Sequence, residues 1–149
     1  ASSTFIPHRD PGPFLISTAV QSDAAAPAVR EILAEVEAIR AGGATPAELD
    51  DTRNYLAGVF PLRLETTSGI VGRLAQIALY ELADGYFDRY RDRILAVSAD
   101  EVLRAAQRYL RPQELSLVIV GDAGVLRAPL DALGLGEVEI FDPASLASR

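Results

Sequence analysis

Chemistry that depends on histidine or cysteine has little to work with in this sequence, which contains one histidine, His8, and no cysteine. A two-histidine zinc motif is excluded within the chain, as are thiolate ligands and thiol nucleophiles. A serine triad would have to recruit His8, and no Gly-x-Ser-x-Gly turn accompanies it. His8 falls in a polar, proline-rich run at residues 7–12. We expect an exposed turn histidine there, the alternatives being a contact at a binding-site rim or an isolated metal ligand.

Paired carboxylates occur at Glu31 and Glu35, one helical turn apart. This spacing places both on one face of a helix, where they would suit metal binding or acid–base work. No third ligand lies nearby in the sequence. We therefore expect a solvated helix face.

A Gly-Asp-Ala-Gly turn at residues 121–124 follows an apolar run and precedes a helical pattern. A strand, a glycine turn and a helix in that order are compatible with a phosphate or metal loop. No lysine and no further glycine pattern follow Asp122, and neither common phosphate-loop motif is present. We expect a plain turn.

An aromatic group at Tyr86, Phe87 and Tyr90 is compatible with a stacking platform for bases or sugars. The formal net charge of −7 argues against nucleic acid as a partner, because nucleic acid requires a basic surface. Helical spacing favours core packing of these rings.

The length of 149 residues predicts one domain over residues 1–149 with a proper core. No apolar run approaches the roughly 20 residues of a transmembrane helix, and no signal peptide is visible. The chain begins at Ala1 and contains no methionine. We expect a processed product or a piece of a longer one, so the compartment stays open.

The hydrophobic periodicity predicts two strands, five helices, a strand, a helix and a last strand. The first two strands are expected at residues 1–6 and 14–21, where they form a hairpin with a long loop. Two further strands are expected at 115–120, buried on both faces, and at 138–141. Residues from 143 onward are expected to fray.

Helix boundaries follow from capping signals. Ser22 or Asp23 is expected to cap the first helix, and Gly42 and Gly43 to stop it. Thr45 with Glu48, and Ser98 with Glu101, form two capping boxes that predict further helix starts.

The segment from residue 54 to residue 70 is expected to form a bend in the helical layer. Pro61 kinks or restarts one helix, and residues 66–68 cap the next. The next helix is expected to bury Ile70 and Leu74. Strands separated by a block of helices predict an α+β two-layer sandwich, with an antiparallel-type sheet packed against helices.

Four stretches of this sequence resemble the later part of a half-domain of pitrilysin/insulinase-type (inverzincin, mitochondrial processing peptidase-like) zinc metallopeptidases. They are GPFLISTAVQSD at residues 12–23, GATPAEL with LAGVFPLRLET at 43–49 and 56–66, a pattern over 90–110, and LVIVGD at 117–122. The core proteins of the cytochrome bc1 complex are similar in fold.

The resemblance implies a supporting, non-zinc or C-terminal half that helps to form a chamber for unfolded peptides. In such enzymes the other half carries a His-x-x-Glu-His motif, which binds zinc and supplies the general base. That motif is missing here, so no catalytic and no metal-binding residue is assigned, and the substrate-binding residues stay unknown. Arg63 and Glu65 match a family motif without a chemical role beyond shaping the bend.

The partners implied by the resemblance are a zinc-bearing half-domain or subunit and an unfolded peptide, with zinc held by that other half. A bacterial origin and a periplasmic location are favoured. The alternative is a catalytically inactive, peptidase-like scaffold or interaction domain, and a soluble α+β module with an unrelated binding function stays open. An unpaired strand edge at residues 1–6 would make the isolated chain self-associate as a dimer.

Overall fold

A computed structural model describes residues 1–142. Two strands, β1 (Ser2–Phe5) and β2 (Phe14–Ser17), are followed by six helices. The helices are α1 (Ala25–Gly42), α2 (Pro46–Leu62), α3 (Thr67–Tyr80), α4 (Tyr90–Ala96), α5 (Ala99–Tyr109) and α6 (Ala123–Asp131). Short 3-10 turns at Ser22–Ala24 and Pro112–Glu114 precede α1 and follow α5.

The two strands form the antiparallel hairpin that the sequence predicts. Phe5 pairs with Phe14, and their ring centroids lie 4.6 Å apart. Phe14 and Ile16 are half-buried while Leu15 and Ser17 are exposed, which confirms the predicted alternation. His8 lies in the long loop between the strands.

Both capping boxes form as predicted. The Thr45 hydroxyl accepts from the Glu48 backbone N–H at 3.3 Å, and the Glu48 carboxylate accepts from the Thr45 N–H at 2.9 Å. Ser98 and Glu101 repeat this arrangement at the start of α5. The predicted cap at Ser22 or Asp23 is wrong, because a 3-10 turn occupies those residues and α1 begins at Ala25 without a side-chain cap.

The predicted bend between α2 and α3 is present. Pro61 lies in the last turn of α2, and the Thr66 hydroxyl caps α3 by accepting from the Gly69 N–H at 3.1 Å. The turn is tight. A Cβ atom on Gly69 would lie 1.7 Å from the Arg63 carbonyl oxygen, so this position requires glycine.

The core lies between α1 and the later helices α5 and α6, and between α2 and α4. Each buried residue of residues 1–142 is apolar, and the set is small: Ala25, Ala26, Val29, Leu49, Ala57, Phe60, Ala106 and Leu126. Several are alanines, which contribute little buried area. The helices therefore cover little of their apolar surface.

The predicted sheet-based sandwich is wrong. Within residues 1–142 the only sheet is the β1–β2 hairpin, and the described chain is a helix-dominated small domain. The apolar runs at residues 115–120 and 138–141 are neither helix nor strand. A strand requires a hydrogen-bonded neighbour, and neither run has one here. The predicted fraying from residue 143 onward lies outside the described residues.

Helix α3 also departs from the prediction. Ile70 and Leu74 were expected to face the core, but they are 47% and 60% exposed. Helix α3 contains no buried residue. One tertiary contact lies at its C-terminal end, where the Tyr80 hydroxyl donates to the Pro7 carbonyl at 3.1 Å. The hydrophobic period therefore predicted the apolar face of α3 correctly, but it could not predict whether another element covers that face.

Candidate functional site

An apolar run at residues 115–120, which we name the open edge, lies exposed on the surface of the described chain. Its sequence is Leu-Ser-Leu-Val-Ile-Val, with no charge and no proline. Leucine, valine and isoleucine in this density are typical of a buried strand. In this structure the run lies on the surface instead.

Both ends of the open edge are fixed by local structure. On the N-terminal side, the Arg111 guanidinium and the Glu114 carboxylate form an ion pair at 2.8 Å across a 3-10 turn. On the C-terminal side, Asp122 caps α6 by accepting from the Gly124 N–H at 2.8 Å. Gly121 approaches α6 so closely that a Cβ atom would lie 2.6 Å from the Leu126 Cδ1 atom. The open edge is therefore held between two anchored points.

Exposure along the open edge is extreme for apolar side chains. Val118 is 84% and Val120 is 95% exposed, whereas Leu117 is 47% exposed and Ile119 is half-buried. The more exposed side chains alternate with the less exposed ones. This period of two is that of an extended strand with one face toward the protein.

The backbone of the open edge is equally uncovered. Within the described part of the chain, no hydrogen bond joins an N–H or C=O group of residues 115–120 to another protein group. Each N–H and C=O is a strong hydrogen-bonding group, and a row of them beside apolar side chains is a template for another strand. The arrangement can therefore bind an extended polypeptide by backbone pairing.

A second apolar run, residues 138–141, has the same character on a smaller scale. Ile140 is 55% and Phe141 is 63% exposed. Glu139 interrupts the run with a charge. A charge within an edge strand disfavours pairing, so this segment is a weaker template than the open edge.

The sequence-derived candidates for metal or acid–base chemistry stay apart in the structure. His8 is exposed in the hairpin loop, and Glu31 and Glu35 are exposed on α1. Across residues 1–142, no group of three histidine, cysteine, aspartate or glutamate side chains is placed to hold a metal ion. Arg63 and Glu65 are exposed at the bend.

The aromatic residues pack together, as the core interpretation predicts. Phe60 on α2 lies 4.5 Å from Tyr90 and 6.0 Å from Phe87, measured between ring centroids. The Arg73 guanidinium from α3 lies 5.2 Å from the Phe87 ring centroid, within the range of a cation–π contact. Phe60 is buried, whereas Tyr86, Phe87 and Tyr90 are half-buried, so the rings serve mainly to join α2, α3 and α4.

Two carboxyl groups in helix caps, those of Glu48 and Glu101, have a lowered pKa. The Thr45 N–H and hydroxyl donate to Glu48 and lower the pKa of its carboxyl group. The Ser98 N–H and hydroxyl lower the pKa of Glu101 in the same way, with a smaller contribution from nearby arginines. Both carboxylates lie on the surface and stabilise helix ends, so neither shift indicates a catalytic group.

The sequence predicted a strand buried on both faces at residues 115–120, and both parts of that prediction are wrong, because the run is not a strand and is mostly exposed. The sequence predicted an unpaired strand edge at residues 1–6 instead. In the structure, β1 pairs with β2 on one side. One signal was present in the sequence: a strand buried on both faces needs neighbours on both sides. The four predicted strands supply few such neighbours for residues 115–120.

Comparison with known proteins gives no further assignment. No protein-family model matches this chain, and no curated protein matches it. Among residues 1–142, no helix combines the length and the apolar character that crossing a membrane requires. The residues and the geometry of the open edge are therefore the basis for assigning a function.

Proposed function

We propose that this chain is the supporting, non-zinc part of a zinc metallopeptidase, and that it holds an unfolded peptide in an extended form along the open edge. The observation that carries the proposal is the row of backbone groups at residues 115–120 that have no partner in the described part of the chain, beside the exposed side chains of Val118 and Val120. Backbone pairing is nearly independent of sequence, which suits a protein that receives many unfolded peptides.

The resemblance of four sequence stretches to pitrilysin/insulinase-type peptidases supports the same role. The zinc that such an enzyme needs does not fit this chain, since His8 is its one histidine and residues 1–142 bring no three ligands together. We assign the metal and the general base to a separate zinc-bearing half. The contribution of this chain is to bind and orient the peptide, which lowers the entropic cost of the reaction.

Anisotropy of a short fluorescein-labelled peptide of alternating valine and threonine tests the binding step. Successive N–H groups of an extended strand point to opposite edges. Leu117→Pro and Val118→Pro therefore each remove a donor from a different edge. We expect one of the two to weaken binding about tenfold, through loss of a backbone hydrogen bond and local distortion.

The matched control is Val118→Thr, which keeps the N–H group and a β-branched side chain. We expect it to change affinity by less than about threefold, because the exposed side chain supplies a smaller part of the binding. Equal affinity in the wild type and both proline variants would show that the peptide does not pair with the open edge.

A further inference from the structure

The open edge also has the properties of a self-complementary interface. We propose that a second copy of this chain pairs with it, strand against strand and antiparallel, to form a two-fold symmetric dimer. The observation is independent of any peptide: residues 115–120 carry no charge, so two copies meet without electrostatic repulsion inside the paired segment. Self-pairing satisfies the same unpaired groups on both chains at once.

The amount of uncovered surface supports a partner of protein size. The accessible surface of the chain is 11417 Å², whereas a compact monomer of its mass, 15.9 kDa, exposes about 7,400 Å². The surplus of about 4,000 Å² exceeds the roughly 800 Å² per partner that a stable interface buries. This surplus belongs to the whole chain, and the open edge contributes to it through the exposed side chains of Leu115, Leu117, Val118 and Val120.

Symmetry restricts the register of the paired strands. With a two-fold axis perpendicular to the pair, directly opposed residues must face the same side, so the axis passes through a residue and not between two. An axis at Leu117 would oppose Val120 to Glu114, which lies in the 3-10 turn and is unavailable for pairing.

An axis at Val118 pairs residues 116–120 of the two copies with one another and leaves Leu115 outside the paired segment. Val118 then lies opposite the same residue of the second copy, and Ser116 lies opposite Val120. One face of the pair gathers the valines that are 84% and 95% exposed in the single chain. Glu114 and Asp122 fall outside the paired residues, where each already has a partner in its own chain. The geometry favours this register.

The absence of cysteine makes the register directly testable, because any introduced thiol is the only one. In the proposed register the Cα atoms of Val118 in the two copies lie about 4.5–5.5 Å apart, a separation that a disulfide spans. The two copies of Ser116 are offset by four residues, or about 13 Å. Val118→Cys should therefore cross-link under mild oxidation, and Ser116→Cys should not.

Two further arms complete the experiment. A mixture of Ser116→Cys and Val120→Cys proteins should give a cross-linked heterodimer, because these positions oppose each other. Val71→Cys, on the exposed surface of α3, should stay uncross-linked. Sedimentation of the wild type should show a concentration-dependent monomer–dimer equilibrium that Leu117→Pro or Val118→Pro shifts toward monomer.

A wild type that sediments as a monomer at every concentration would overturn the proposal. Equal cross-linking of all single-cysteine variants, Val71→Cys included, would also overturn it, since random collision would then explain the dimer. All arms are measured without peptide. Peptide binding is measured separately, on the reduced protein at a concentration where it sediments as a monomer. A Val118 cross-link that forms as expected, together with no peptide binding by that monomer, would contradict the proposed function alone.

Discussion

The Nη2 atom of Arg53, on α2, donates a hydrogen bond to the backbone carbonyl of Val97, 44 residues further along the chain. Val97 directly follows α4, so this bond links the end of that helix to α2. The Nη1 atom of Arg53 donates at the same time to Asp50 at 2.9 Å. One half-buried guanidinium thus joins two elements that otherwise meet through the aromatic cluster.

Replacing Arg53 with methionine should lower the free energy of unfolding by about 1.5–3 kcal/mol, because a charge-assisted bond to a backbone carbonyl is lost. Arg40→Met is a matched control. Arg40 has nearly the same side-chain exposure, 23% against 22%, and a similar ion pair with a carboxylate three residues away. Its side chain has no bond to a distant element among the described residues. Urea denaturation should show a clearly smaller loss for the control.

The aromatic cluster should dominate the stability of the α2–α4 contact. Phe60→Ala should cost about 3–5 kcal/mol, since a buried ring in contact with Tyr90 and Phe87 is removed. Tyr55→Ala on the same helix is the control, because Tyr55 is 63% exposed. Similar losses for both variants in urea denaturation would show that Phe60 is not part of a packed core.

Two glycines should respond to alanine in opposite directions. At Gly121 a new Cβ atom would lie 2.6 Å from Leu126, a buried residue, and we expect destabilisation of about 1–3 kcal/mol. At Gly72, inside α3, nothing lies within 4 Å of the new atom. Gly72→Ala should stabilise by roughly 0.5–1 kcal/mol through helix propensity. Thermal unfolding of both variants tests the packing of the anchor beside the open edge.

Acid should weaken both capping boxes. The folded-state pKa values of Glu48 and Glu101 lie below the ordinary value of 4.5, so their stabilising contribution is complete above that value. It is lost as the pH falls below 4.5 and through the folded-state pKa, because the neutral carboxyl group accepts from the N–H group more weakly than the carboxylate does.

The Glu48→Gln, Glu101→Gln double variant should therefore be less stable than the wild type at neutral pH. The difference between the two proteins should shrink at about pH 3. Urea midpoints at both pH values provide the measurement. A difference that stays constant with pH would mean that the carboxylates do not stabilise the caps through their charge.

Local signals in the sequence predicted the local structure well. The capping boxes at Thr45 and Ser98, the stop at Gly43 and the hairpin all depend on residues close in sequence, and all form. The sandwich failed because a sheet depends on partners distant in sequence. The run at residues 115–120 has strand composition, but composition does not supply the neighbour that turns it into a strand.

The candidate site could not be predicted for the same reason, because its exposure depends on elements that are distant in the sequence. An apolar run such as Leu117 to Val120 predicts burial, and sequence alone gives no account of which surface buries it. The interpretation of His8, Glu31 and Glu35 as surface residues was correct, since exposed positions in a turn and on an amphipathic helix depend on local pattern. Assigning a binding role to residues 115–120 required their exposure and their unpaired backbone groups.

The central claim is that this chain supports peptide hydrolysis carried out by a zinc-bearing half. The most direct measurement is cleavage of a quenched, unfolded peptide by this chain, by a candidate half with a His-x-x-Glu-His motif, and by their mixture, with bound zinc followed by elemental analysis. We expect cleavage in the mixture alone, with zinc bound to the partner half. Whichever of Leu117→Pro and Val118→Pro fails to bind peptide should also abolish cleavage in the mixture. A stable complex with neither zinc nor cleavage would contradict the claim and favour an inactive scaffold.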